Sequence, residues 1–152
     1  MRKKTRRKVY QLVNPIEFAI AGASITDKKS LDALRLRELA AIDAMTKGLA
    51  TVTDWHDLTE MLNLAEMMAK SGIGPEVLET CQIAQEELHQ AALRYETTKR
   101  MGLSGIGLKA VKDLYEYHDL QRSSVSRSEY DRMINKTVKY IKSNAPSVLN
   151  IK

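Results

Sequence analysis

The stretch PEVLETCQIAQEELHQAALRYETTKR, from Pro75 to Arg100, decides the fold. It holds no glycine and no proline after its first residue, and Leu78, Cys81, Leu88, Ala92 and Tyr95 recur at spacings of three, four and seven residues. That is the signature of one face of a helix, because side chains three and four positions apart lie above one another. Proline at its start suits a first helical position, where the missing N–H has no intrahelical partner. The preceding Gly72-Ile73-Gly74 breaks whatever comes before it.

The same periodicity extends in both directions. Upstream, Thr53 to Lys70 places Trp55, Leu58, Leu62, Ala65 and Met68 on one stripe, with Asp54 and Asp57 at the end where the helix dipole favours negative charge. Before it, a helix from about Asp27 to Lys47 carries Leu31, Leu34, Leu39, Ile42, Met45 and Leu49, with Gly48 where a C-terminal cap falls. Asn14-Pro15 reads as an N-cap and first position of a short helix with Ile16, Ala19 and Ile20 on its apolar side, ending at Gly22. Downstream of Gly107, Leu108, Val111, Leu114, Tyr115 and His118 form a fifth stripe that stops before Ser123-Ser124. Ser126-Arg127-Ser128-Glu129 has the spacing of a capping box, opening a sixth helix with Tyr130, Ile134, Val138 and Ile141 facing inward. The expectation is an all-α, single-domain bundle of about six helices: a basic arm at 1–13, a helical domain at 14–143 and a tail at 144–152. A chain of 152 residues buries a core without disulfide or metal staples.

Charge is unevenly distributed. The formal net charge is +5, yet six basic residues, Arg2, Lys3, Lys4, Arg6, Arg7 and Lys8, stand within the first eight positions; without them 18 basic residues face 19 acidic ones. Residues 9–98 carry 7 Lys/Arg against 14 Asp/Glu, and residues 99–152 carry 11 against 5. A basic head, an acidic middle and a basic tail steer different partners through the summed field. The single cysteine, Cys81, sits near Leu78, Ile83 and Ala84 and reads as a small core residue; one thiol without a partner fits a reducing compartment, and the cytoplasm is the expected location. The apolar stretch behind the basic arm is interrupted by Asn14, Pro15 and Glu17, too soon for a signal peptide or a membrane span.

Nothing in the residue pattern points to catalysis. His56, His89 and His118 lie 33 and 29 residues apart, without the i, i+4 pairing that sets two imidazoles on one metal, so no metal or other cofactor is expected. There is no phosphate-binding P-loop and no nucleophile elbow. Glu86 and Glu87, adjacent on a helix, diverge by about 100° and do not form an acid–base pair.

Two features point to macromolecular binding. Ser71-Gly72-Ile73-Gly74 recurs as Ser104-Gly105-Ile106-Gly107, and the second copy, Leu103 to Lys109, resembles the hairpin of helix-hairpin-helix DNA-binding motifs. The resemblance implies backbone N–H groups at Gly105 and Gly107 approaching a phosphate, with Lys109 beside them. It covers about seven residues per copy and departs from the family where Leu78 and Val111 replace a small residue. The alternative is a pair of glycine-capped helix turns. Arg132, Lys136 and Lys139 share a face of the last helix and, with the arm, form the rest of a nucleic-acid-binding candidate set; the alternative is a solvated surface. The second feature is the acidic middle. Asp54 and Asp57 on one helix, and Glu76, Glu79 and Glu86 on the next, are protein-partner candidates able to face a basic groove on another protein, or else a solvated face.

Finally, Lys4-Thr5-Arg6-Arg7-Lys8-Val9-Tyr10 and Val13-Asn14-Pro15-Ile16-Glu17-Phe18-Ala19-Ile20-Ala21-Gly22-Ala23 resemble the start of small accessory proteins encoded by phages and prophages. The resemblance spans about the first 25 residues and implies a mobile-element protein that regulates phage genes or disables host machinery, defence systems included. The expected function is therefore non-enzymatic: binding, and modulating or inhibiting, a host protein or protein–nucleic acid complex. The alternative is a DNA- or RNA-binding protein using its arm and Gly-Ile-Gly turns. Neither requires a membrane, and the sequence sets no oligomeric state.

Overall fold

A computed structural model describes residues 28–143, with side-chain environments from Leu31 onward. Five α-helices follow one another: α1 Lys28–Lys47, α2 Val52–Lys70, α3 Leu78–Thr98, α4 Gly105–Ser123 and α5 Arg127–Ser143, with a 3-10 turn at Pro75–Val77 leading into α3. Among the described residues there is no strand, only a single bridge between Ala50 and Met101. The all-α expectation holds, with five helices where about six were expected. The helix expected at 14–22 lies outside the described residues, as do the arm and the tail from 144. No described helix is long and apolar enough to cross a membrane.

Helix α2 is the centre of the bundle, touching all four other helices and the 3-10 turn. Its sequence explains why: Trp55, Leu58, Ala65 and Met68 are fully buried, and Met61, Leu62 and Ala69 nearly so, a stripe wide enough to pack on several sides. The Trp55 indole N–H donates to the Leu88 carbonyl at 2.9 Å, which joins α2 to α3 and satisfies the polar edge of a buried aromatic. Cys81, Ala84, Leu88 and Ala91 of α3 meet Ala110, Val111 and Leu114 of α4 in the same core. Small residues here let the helices approach closely, and each fully buried Leu or Val contributes about 1.5–3 kcal/mol.

Two loops are stitched together at one end. Ala50 N–H donates to Met101 O at 3.2 Å, and a Cβ on Gly102 would lie 3.0 Å from Gly48 Cα, so the loops pass backbone against backbone. Gly48 has φ +68, the left-handed conformation expected of a C-terminal cap. Helix α2 starts earlier than the pattern predicts, through a reciprocal capping box. Thr51 Oγ1 accepts from Asp54 N–H, and Asp54 Oδ2 accepts from Thr51 N–H at 2.8 Å. The box expected at α5 forms only in part: Ser126 Oγ accepts from Glu129 N–H at 3.2 Å, while the Glu129 carboxylate turns to Arg132 at 2.7 Å.

The expected stripes need correction on the two outer helices. Leu39 on α1 and Leu49 in the loop beyond it are 45% and 69% exposed, and Glu38 and Ala41 take the inward positions beside Ile42 and Met45. On α5, Tyr130 is buried but Ile134 and Val138 are 37% and 45% exposed, with Met133 and Thr137 inward instead. The reason is packing: among the described helices α5 leans mainly on α2, where its apolar spacing offers enough surface for two.

Candidate functional site

The candidate residues divide once their surroundings are known. The two Gly-Ile-Gly copies are not equivalent. In the first, Gly72 and Gly74 have φ of +94 and +65 and end α2; Ile73 N–H donates to Met68 O at 2.8 Å, and Ile73 O accepts from Gln121 Nε2 at 2.8 Å. In the second, Gly105 and Gly107 are helical and open α4. Ser104 Oγ accepts from Gly107 N–H at 3.1 Å and donates to Glu87 Oε1 at 2.7 Å. A carboxylate thus already stands at the helix N-terminus that a phosphate would occupy, where it interacts favourably with the dipole. Gly107 is a close-packing position, since a Cβ there would lie 3.1 Å from Glu87 Cβ and from Leu103 Cδ2.

The basic candidates within the described residues are exposed but locally engaged. Lys109 Nζ lies 2.9 Å from Asp113, Lys136 Nζ donates to Ser71 Oγ at 2.9 Å, and Arg132 reaches Glu129. Lys139 is exposed on the same helix. Arg2, Lys3, Lys4, Arg6, Arg7 and Lys8 lie outside the described residues.

The acidic candidates separate into two groups. Asp54 caps α2, and Asp57, its side chain 13% exposed, pairs with Arg37 at 3.5 Å, so both hold the fold. Glu76, Glu79 and Glu86 are exposed, and among the described residues none has an ion-pair partner; Glu86 accepts a hydrogen bond from Gln90 at 2.8 Å. Ile83 and Leu93 are exposed on the same helix. The outer surface of α3 is therefore acidic with apolar contact points.

A second constellation was not expected from the sequence. Arg122, fully buried on α4, donates through Nη1 and Nη2 to Glu38 on α1 at 3.0 and 2.8 Å, and through Nε to Asp119 at 2.9 Å. Asp119 also accepts from Arg35 Nε at 2.8 Å. Burial pushes the Asp119 carboxyl up, but the hydrogen bonds from Arg35 and Arg122 outweigh it and hold its pKa below the usual value. Burial works against the Arg122 charge, and the hydrogen bonds and charges of Glu38 and Asp119 again prevail, raising its pKa. The guanidinium stays protonated in any case, and its fork matches the carboxylate in a bidentate pair.

Beside this network, α1, α2 and α5 leave a groove of about 350 Å³. Leu34, Met61, Leu64, Ile134 and Val138 supply apolar walls, and Glu38, His118 and Tyr130 reach it from below. His118 is fully buried; its Nδ1 is 2.9 Å from Gln121 Oε1, and its Nε2 has no partner. Burial lowers its pKa to about 4, with the Gln121 hydrogen bond opposing and Arg122 adding to the effect, so the ring is neutral at neutral pH. A charged residue at a core position of two facing helices, Glu38 and Arg122, was the sequence signal for this region.

Among the described residues no group of His, Cys, Asp and Glu is placed to hold a metal ion. Compared with protein families, characterised proteins and solved structures, the chain matches none.

Proposed function

We propose that this chain is a phage-type accessory protein, without catalytic activity of its own, that acts in the cytoplasm by binding a host protein or protein–nucleic acid complex and modulating or inhibiting it. The observation that carries this reading is the outer face of α3 and the 3-10 turn before it, where Glu76, Glu79 and Glu86 stand exposed, without ion-pair partners among the described residues, beside exposed Ile83 and Leu93. Negative charge not neutralised by an ion pair among the described residues, interleaved with apolar contact points, is complementary to a basic protein surface. Asp54 and Asp57 leave the contact set, because the fold uses them. The phage-like N-terminal segment supports the biological setting.

Direct nucleic-acid binding is the second reading, favoured by the six basic residues of the arm. The test is a comparison of two variants of the full chain. One replaces the six arm residues with neutral ones; the other reverses Glu76, Glu79 and Glu86 to Lys. Each is titrated against duplex DNA, single-stranded DNA and RNA over a salt series, and each is used to capture partners from host lysate. The proposal expects a specific captured protein retained by the arm variant and lost by the α3 variant. Submicromolar nucleic-acid binding that falls steeply with salt and vanishes in the arm variant, with no protein capture dependent on α3, overturns it.

A further inference from the structure

His118 lines the base of an apolar groove and carries a buried ring nitrogen, Nε2, with no hydrogen-bond partner among the described residues. Its tautomer follows from its neighbours. Gln121 Nε2 donates to the carbonyls of Ala65 at 3.2 Å and Ile73 at 2.8 Å, which leaves Gln121 Oε1 facing His118 Nδ1 at 2.9 Å. An amide oxygen only accepts, so Nδ1 carries the proton and Nε2 the lone pair. That lone pair is buried with no partner, while the ring lines the groove. A buried acceptor left unmade is rare and calls for an occupant that donates.

The surroundings define that occupant. The groove, about 350 Å³, is at the small end of ligand sites. Its walls are aliphatic, and the Met61 thioether adds a polarizable surface suited to an aromatic ring. Among the described lining residues no cation is open to receive an anion: Arg37 at the rim faces both Asp57 at 3.5 Å and Glu60 at 3.8 Å, and Glu38 is held by Arg122. The rim is acidic on balance, and at the base His118 Nε2 is the buried polar atom without a partner among the described residues.

We propose that the groove between α1, α2 and α5 binds a small uncharged ring compound bearing one hydroxyl or N–H, which donates to His118 Nε2 while its ring lies against Met61, Leu64, Ile134 and Val138. Such a ligand fills the apolar space, satisfies the orphaned acceptor and lies alongside the α5 side chains Ile134 and Val138, which are partly exposed. The occupant is a free small molecule rather than a charged metabolite or a peptide carboxylate, because the cation among the described lining residues, Arg37, already faces Asp57 and Glu60.

The full chain, labelled with ¹⁵N-histidine, is titrated with indole and with indene, its hydrocarbon counterpart lacking the N–H. Expected are saturable indole binding, a shift of the His118 Nε2 resonance on saturation, and indene binding weaker by roughly tenfold or more. Val138→Glu, at an exposed position, removes indole binding while the fold persists. His118→Phe brings indole and indene to the same affinity; should that variant fail to fold, the indole–indene comparison in the unaltered chain and Val138→Glu carry the test. The proposal is overturned by absence of saturable binding, by equal affinities in the unaltered chain, or by full binding in Val138→Glu. It is equally overturned by an Nε2 resonance already hydrogen-bonded before any probe is added, which would assign the acceptor to a trapped water or to another part of the chain.

Discussion

Arg122 and Glu38 lie 84 positions apart in sequence and meet in a bidentate ion pair at 3.0 and 2.8 Å, with none of the arginine side chain exposed. The pair joins α1 to α4, and its carboxylate borders the groove. Breaking a buried pair from one side strands the other charge in a medium that solvates it poorly. Arg122→Ala is therefore expected to lose about 3–5 kcal/mol in urea unfolding followed by circular dichroism, whereas the double replacement Arg122→Met with Glu38→Leu returns to within about 1–2 kcal/mol of the parent. A double variant as unstable as the single one would show that the pair does more than neutralise itself.

The acid side of the stability profile follows from His118. Its pKa is about 4 in the folded chain and 6.5 when unfolded, so the unfolded state takes up a proton first as pH falls. Above pH 6.5 the group has no effect. Between pH 6.5 and 4 stability declines, by about 3 kcal/mol at the lower limit. Asp119, held below its ordinary value, adds to the loss at lower pH still. Urea midpoints at pH 7, 6, 5 and 4 are expected to trace this decline, and His118→Asn, whose amide still reaches towards Gln121, is expected to flatten it. An unchanged slope in that variant would place the titration elsewhere.

The two glycines of the second Gly-Ile-Gly turn carry different constraints. A Cβ at Gly105 meets nothing within 4 Å, whereas one at Gly107 meets Glu87 and Leu103 at 3.1 Å. Gly105→Ala is expected to stabilise by about 0.4–1 kcal/mol through the unfolded chain, and Gly107→Ala to destabilise by roughly 1–2 kcal/mol through overpacking. Thermal melts of both variants decide it; a Gly107→Ala chain as stable as Gly105→Ala would contradict the packing seen at the α3–α4 contact.

These particulars show where sequence reasoning reached and where it stopped. The α2 stripe was fully legible, because Trp55, Leu58, Leu62, Ala65 and Met68 are apolar at unbroken helical spacing and that helix lies between all the others. Leu39 and Leu49 misled because hydrophobicity alone ranks them above Glu38, and a buried carboxylate is intelligible only once its arginine partner on a distant helix is placed. Ile134 and Val138 misled for the reverse reason: their spacing is right, but the number of helices available to cover them is a property of the bundle. The repeated Ser-Gly-Ile-Gly string gave two backbones, since glycine permits left-handed φ at Gly72 and Gly74 and helical φ at Gly105 and Gly107. The groove required three helices at once, and its local trace, the charged Glu38 on an inward position, acquires meaning only beside Arg122.

Cys81 offers a direct reading of how the core opens. Burial pushes its thiol up to about 12, the Glu66 charge adding to the effect and Lys70 opposing it, so at pH 8 the folded chain holds almost no thiolate. Reaction with an aromatic disulfide reagent then proceeds only through opened molecules. In the regime where reclosing outpaces the chemistry, the observed rate follows the opening equilibrium. The expected result is labelling slowed by about a thousandfold or more relative to urea-unfolded chain, with Arg122→Ala accelerating it in proportion to its lost stability. Because Cys81 packs against the Trp55 cluster and Arg122 against α1, equal acceleration in the two assays means that the bundle opens as one unit. A labelling rate indifferent to Arg122→Ala would instead mean that α3 detaches from α2 while the α1–α4 pair stays closed.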